Sequence, residues 1–306
     1  MIPILIAVSL ILFLLMNVLP GNAATSRMNV EASEQYIEQL EKNLGLDKPV
    51  HVRYWDWVRG MLRGDFGNSL LTSQPVADMI ARRLPITVEL ALLSLIVAVI
   101  IAIPLGITSA IHRNKPIDLF ASFFAMIGVT IPNFWLGMLL ILYFSIRLKW
   151  LPASGFVPLV TDPMGNLTRM IMPALAIGTG FAAIVMRQTR SALLEVLDQD
   201  YIITAKAKGL KGSVVIWKHA LRNSIIPVIT VIAMSTGRLL GGAVITETVF
   251  AMPGIGKGIV DGIMNRDYPI VMGLIMISAV FIIVINTVVD VVYIFIDPRI
   301  SHKSKA

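Results

Sequence analysis

The sequence predicts an all-α polytopic membrane protein: a helical bundle of about six transmembrane helices, with a helical extracytoplasmic insertion after the first. Three observations carry this. Charged residues make up only 15% of the 306 residues, against about 25% in an average soluble domain. Mean hydropathy is +0.78. The apolar residues are also gathered into long runs. Crossing the hydrocarbon core takes roughly 20 apolar residues in a helix, and six stretches qualify: about 2–19, 86–109, 119–146, 171–186, 225–249 and 270–296.

The first stretch, 1–19, has no basic residue before it, so it reads as a span and not as a signal peptide, although Gly21 and Ala23 would allow cleavage. Residues 20–85 form the insertion. Within it SEQYIEQLEKNLG reads as an amphipathic helix with Ser33 as N-cap and Gly45 just past its end. Tyr36, Ile37, Leu40 and Leu44 form its apolar face. Trp55 and Trp57 suit an interfacial belt, and a further helix is expected from Pro75 to about Leu84. The insertion is too small for a large core of its own, so it is expected to pack on the membrane domain or to meet an outside partner.

Residues 86–296 form the membrane core. Its run IMPALAIGTGFAAIVM is short and rich in Gly and Ala, which suits close helix packing. The tail, 297–306, is basic. The connecting segments fall into two alternating sets. One comprises 110–118, 187–224 and 297–306, the other 20–85, 147–170 and 250–269. The two sets hold nearly equal numbers of Lys and Arg, but the first is about half as long. Its higher positive density makes it cytoplasmic, together with both termini. On this view Gly64–Ser69 lies outside.

Composition excludes several classes of function. Cysteine is absent, which removes disulfides and thiolate metal sites. His51, His112, His219 and His302 have no ligand spacing. The net charge of +7 fits inward loops and lipid headgroups better than nucleic acid. PGIGKGIV at 253–260 lacks the first glycine of a phosphate loop and has Gly258 where Ser or Thr should follow Lys257. GDFG at 64–67 has no supporting kinase motifs, and no HExxH or GxSxG is present. Catalysis by this chain and a cofactor of its own are therefore not expected.

The loop 187–224 stands out. It carries Arg187, Arg190, Lys206, Lys208, Lys211, Lys218 and Arg222 against Glu195, Asp198 and Asp200. TAKAKGL reads as a short helix stopped at Gly209, and VVIWKHALRNSIIP leads into the fifth span. Ala205 and Ala207 beside Gly209 leave a bare surface, suited to docking in a partner's groove more than to lipid binding.

This loop resembles the EAA loop of the integral membrane permeases of ATP-binding-cassette importers. Set on Gly209, the family pattern places Ile203, Thr204 and Ala205 at its first three positions and matches Leu221, while His219 and Arg222 depart from it. The dipeptide/oligopeptide/nickel branch shares those departures, and DYIITAKAKGL with WKHALRNSIIPVIT closely resembles that branch. Further stretches resemble it in order, so that nearly the whole chain is covered: GDFGNS (64–69), RLPITVEL (83–90), IPNFWLGMLLILYFS (131–145), LPASG (151–155), GGAVITETVFAMPGIG (241–256), NRDYPIV (265–271) and DPRI (297–300). The chain departs from the branch in lacking a basic run before its first span, which implies a shortened start, and in carrying Arg238 where a neutral or apolar residue is expected.

The resemblance implies a permease subunit in a prokaryotic cytoplasmic (inner) membrane. Two such permeases form the pathway, two cytoplasmic ATPases carry the ATP and Mg, and an extracytoplasmic binding protein delivers the substrate. It also implies that Tyr201, Ala205, Lys206, Ala207, Gly209 and Leu210 form the ATPase-coupling helix. The cargo is expected to be di- or oligopeptides, with a nickel chelate as the alternative. An ion-coupled secondary transporter or channel is the alternative from another class. It would favour inverted repeats, and none is visible.

Among polar residues in the spans, Arg238 should face a cavity or a partner, because a centrally placed Arg costs roughly 2.5–3.5 kcal/mol on insertion scales. Glu247, nearer the outer end and about half a turn out of phase with Arg238, is a candidate for the pathway or for meeting the binding protein. Asp290 is expected to fix helix packing, and Met126, Met138, Met272 and Met276 to fill the bundle.

Overall fold

The computed structural model describes residues 2–18 and 48–296. The helix expected to begin after Ser33 and the tail 297–306 lie outside the described residues, as do the side chains of Arg238 and Asp290. The described residues form α1 (Ile2–Val18), α2 (Val50–Leu62), α3 (Val76–Ile111), α4 (Pro116–Thr130), α5 (Asn133–Leu140), α6 (Pro163–Leu197), α7 (Asp200–Ala207), α8 (Leu221–Val249), α9 (Ile255–Met264) and α10 (Tyr268–Ile296). Short π-helical segments follow α5 (Ile141–Arg147) and precede α8 (Val215–Ala220). Helices suit hydrocarbon because they satisfy every backbone N–H and C=O internally. Among the described residues, four helical runs are long and apolar enough to cross a membrane, and a fifth span is added if α4 and α5 count as one. α1 is apolar and 17 residues long.

Several boundaries differ from the sequence reading. The helix expected at 75–84 does not end before the second span; both belong to α3, 36 residues long. The fourth span, read as 171–186, is the middle of a 35-residue helix. At 1.5 Å per residue α6 is about 52 Å long, well over the ~30 Å hydrocarbon core. Its start is set by Asp162, which accepts from the Gly165 N–H at 2.9 Å, and by Pro163 at the first helical position. The third span, read as 119–146, is broken, with α4 and the α5 run bent by 103°. Pro132 has no N–H to donate, and Ile131 before it is held extended at φ −73°, ψ 123°.

The chain divides into two compact units. The first comprises Met1–Thr87 and Pro253–Ile283, so the insertion's described part shares a unit with α9 and the start of α10. Val76, Ile80, Ile255, Ile270 and Leu274 form one core there. Leu12, Phe13, Met272 and Met276 form another, joined by Tyr54 and Trp57. Trp57 stacks on Phe13 at 6.0 Å between ring centroids, while Trp55 is exposed. The motif residues noted above meet in this unit. Buried Asp267 accepts from Ser69 Oγ at 2.6 Å and from the Leu70 N–H at 3.1 Å, tying NRDYPIV to GDFGNS. Arg83 donates to the Gly254 carbonyl at 3.0 Å, and Thr87 Oγ1 accepts from the Ile255 N–H at 2.8 Å.

The second unit, Val88–Met252 with Val284–Ala306, is built around α6, whose apolar window is the most buried of the four spans. Small residues set its close approaches. A Cβ on Gly178 would lie 2.7 Å from the Ser94 carbonyl on α3, and one on Gly128 of α4 would lie 3.2 Å from the Ala183 Cβ. The Gly155 N–H donates to the Phe250 carbonyl at 3.0 Å, joining LPASG to the end of α8. Met272 and Met276 are buried as expected, but Met126 and Met138 are exposed and fill no core within this chain.

Candidate functional site

The loop 187–224 is mostly helical. α7 ends because Gly209 takes φ +76°, a conformation that favours glycine. The Gly209 N–H donates to the Lys206 carbonyl at 3.0 Å and the Leu210 N–H to the Ala205 carbonyl at 3.4 Å. These are the paired bonds of a Schellman motif, and they satisfy carbonyls that a helix end leaves orphaned.

α7 has two faces. Ile202 and Ala205 point inward, into a core with Ile107 and Ala110 of α3, Leu193 of α6, and Val215 and Ala220 ahead of α8. Tyr201, Ile203, Lys206, Ala207, Gly209 and Leu210 are exposed. The expectation that Ala205 lies on the outward contact face is therefore corrected: it is 8% exposed, and its small size lets α7 lie close to the bundle. Tyr201 is exposed yet tied down, its hydroxyl accepting from Asn223 Nδ2 at 2.7 Å. α7 is thus packed against α3, α6 and the segment leading into α8.

Beneath this seat lies a polar cluster that the sequence reading did not single out. Asp118, 2% exposed, accepts from Arg190 Nε and Nη2, both at 2.7 Å. It also accepts from Ser109 Oγ and from the Asn114 N–H at 2.9 Å. One carboxylate thereby ties the end of α3, the following turn, the start of α4 and α6 together. In the sequence Arg190 is one positive charge among several in the loop; its fork geometry matches a carboxylate bidentately. The one signal in the sequence was an acid in a first helical turn just after Pro116.

The backbone of Arg238 lies in α8. Glu247, expected to line the pathway or to meet the binding protein, is fully buried in this chain. Glu89 Oε1, in RLPITVEL, is buried without a hydrogen-bond partner. Among the described residues no group of acidic or histidine side chains is placed to hold a metal ion.

Residues 102–302 match the family described as "Binding-protein-dependent transport system inner membrane component", and residues 1–91 match its N-terminal companion. The chain belongs to this family. The permease is 40% identical over 304 residues to the oligopeptide transport system permease protein AppB of Bacillus subtilis (strain 168), covering 98% of this chain and 96% of that one. It is 39% identical to the dipeptide transport system permease protein DppB of Alkalihalophilus pseudofirmus, over 99% and 97% of the two chains. It is 40% identical to the glutathione transport system permease protein GsiC of Escherichia coli (strain K12), over 99% and 96%. Its fold resembles that of a chain in the inward-facing MetNI methionine ABC transporter, with a TM-score of 0.60, 16% identity, and coverage of 72% of this chain and 96% of that one. A second neighbour, from an amino acid ABC transporter, has a TM-score of 0.52, 15% identity, and coverage of 71% and 93%. The permease is thus a membrane component of a binding-protein-dependent transport system, and the ion-coupled alternative is set aside.

Proposed function

We propose that this permease forms, with a second permease of the same kind, the membrane path of an ATP-driven importer of short peptides. Cytoplasmic ATPases dock on the outer face of α7, an extracytoplasmic binding protein delivers the cargo, and this chain performs no chemistry and binds no ATP or Mg itself. The named relatives serve oligopeptides, dipeptides and glutathione, cargoes that share the peptide backbone. The observation that carries the coupling role is the division of α7, with Ile202 and Ala205 rooted in the bundle while Ile203, Lys206, Ala207, Gly209 and Leu210 are presented outward. Closure of the docked ATPases pushes α7, and α6 and α8 tilt with it, switching access between the two sides.

The test compares Gly209→Asp with a triple Lys→Gln change at 206, 208 and 211. A Cβ at Gly209 meets nothing within 4 Å in this chain, so the internal cost of a side chain is backbone strain of about 1 kcal/mol. Gly209→Asp should insert normally yet lose ATP-dependent uptake and ATPase co-purification, and should do more harm than the triple change. Full uptake by Gly209→Asp rejects the coupling role. Greater harm from the triple change makes the loop a lipid-binding surface.

A further inference from the structure

Where α4 gives way to α5, a cavity of about 200 Å³ opens among α4, α5, α6 and α8. Water occupies ~30 Å³ per molecule in the liquid, so the space takes a group the size of one amino-acid residue. Its polar lining is Asn133, the first residue of α5, and Ser235 of α8. The rest is glycine backbone and apolar side chain, including Gly128, Gly180, Phe181 and Gly242.

The two polar side chains are without partners. Every threonine of α8 closes its hydroxyl on its own helix, Thr230 on Ile226, Thr236 on Ile232, Thr246 on Gly242 and Thr248 on Val244. Ser235 does not. It is 7% exposed, lines the cavity, and has no hydrogen bond within the described chain. The Asn133 amide likewise has none. Glycines seat that amide: a Cβ on Gly180 would lie 3.0 Å from Asn133 Oδ1, and one on Gly242 would lie 3.5 Å from Nδ2. A primary amide and a hydroxyl that face a largely apolar space without a protein partner are costly unless water or a ligand reaches them. Such groups are tolerated where they line a space that admits water or a polar ligand.

We propose that this cavity is a transit subsite for one peptide unit of the cargo, with Asn133 and Ser235 as its hydrogen-bonding anchors. An amide side chain offers one acceptor oxygen and two N–H donors, the complement of the N–H and C=O of a peptide bond. The lining carries no charge, so it matches the neutral backbone and not a charged terminus or a metal ion. The apolar walls accept varied side chains with little selection. A carrier of peptides meets a constant backbone and variable side chains, and this division suits that task. The proposal rests on the peptide reading above.

The test uses the assembled importer in proteoliposomes with its binding protein. The cargo is trialanine, or whichever peptide of two to five residues the wild-type complex carries best. The chain has no native cysteine, so Ser235→Cys gives a single thiol in this permease, set in partner chains also freed of cysteine. That thiol should react with a charged, water-soluble methanethiosulfonate, and saturating peptide should slow the reaction at least fivefold. Asn133→Leu should lower peptide uptake about tenfold while ATP hydrolysis stimulated by the loaded binding protein persists. An inert thiol in the assembled complex means that the second permease fills the cavity, and overturns the proposal. So does labelling indifferent to peptide, or wild-type uptake by Asn133→Leu. If Ser235→Cys does not assemble, uptake by Asn133→Leu and Ser235→Ala decides. A wild-type complex that assembles and hydrolyses ATP but carries no peptide rejects the cargo reading itself, which the unmutated control reveals separately.

Discussion

At Gly209 the backbone and the partner surface make separable demands. The positive φ penalises most side chains, but asparagine tolerates this region better than alanine. Gly209→Asn should therefore cost less stability than Gly209→Ala. If the residue only shaped the turn, uptake would follow the same order. With a partner docked on it, the larger asparagine should harm uptake more than alanine does, and thermal unfolding compared with uptake for the two variants reads the difference. Asp118 obeys another logic. Its carboxylate is tolerable because Arg190, Ser109 and the Asn114 N–H all satisfy it. Arg190→Ala leaves a buried charge behind and should cost about 3–5 kcal/mol. Arg190→Ala combined with Asp118→Ala should recover part of that loss in thermal unfolding of the purified chain. A double variant no more stable than the single would mean that the ion pair is not what holds this seat.

Among the elements, α6 shows how far the sequence could be read. Its Gly and Ala content announced close packing, and Gly178 meets α3 at a distance that leaves no room for a methyl group. Its ends were illegible as a span because PMGNLTRM and RQTRSALLEVL are polar. They are helical because Asp162 and Pro163 start the helix and because it runs on beyond hydrocarbon length. The stop at Gly209 was legible because glycine punctuation is local. The inward turn of Ala205 was not, because only the placement of Ile107, Leu193 and Val215 around it decides which face of an eight-residue helix is buried. Asp118 and Arg190 stand 72 residues apart, and no spacing in the chain announces their pairing. The glycine geometry also yields an order of effects. Gly178→Ala, opposed by a backbone carbonyl at 2.7 Å, should destabilise more than Gly128→Ala, opposed by a methyl group at 3.2 Å. Gly241→Ala, with nothing within 4 Å, should be the mildest. Thermal unfolding in detergent gives the ranking, and a Gly241 variant as unstable as the Gly178 variant would contradict close packing as the cause.

On the scale of the whole molecule, length and charge bear on whether the bent pair α4–α5 crosses the membrane or returns to the side it left. Each arm has about 15 residues, from Pro116 to Thr130 and from Asn133 to Arg147, which gives about 22 Å per arm. Tilted equally about a 103° bend, the two arms would rise about 28 Å together, close to the ~30 Å hydrocarbon core. A crossing is therefore within reach despite the break. If one arm stood upright the other would lie nearly flat, and the pair would re-enter. Charge weighs for the crossing: the segments 110–118 and 187–224 are denser in Lys and Arg than 147–170 between them. Lys115, Lys149 and Lys211 are all exposed, and single cysteines placed there in a cysteine-free chain report the answer. In intact cells an impermeant thiol reagent should label position 149 and spare 115 and 211, which should react only after the membrane is opened. If 149 is protected together with 115, α4–α5 is a re-entrant pair. α6 would then be the first crossing after α3, and position 211 should label from outside. That last result would also put α7 on the wrong side for any cytoplasmic ATPase, so the same three cysteines test the crossing and the coupling proposal together.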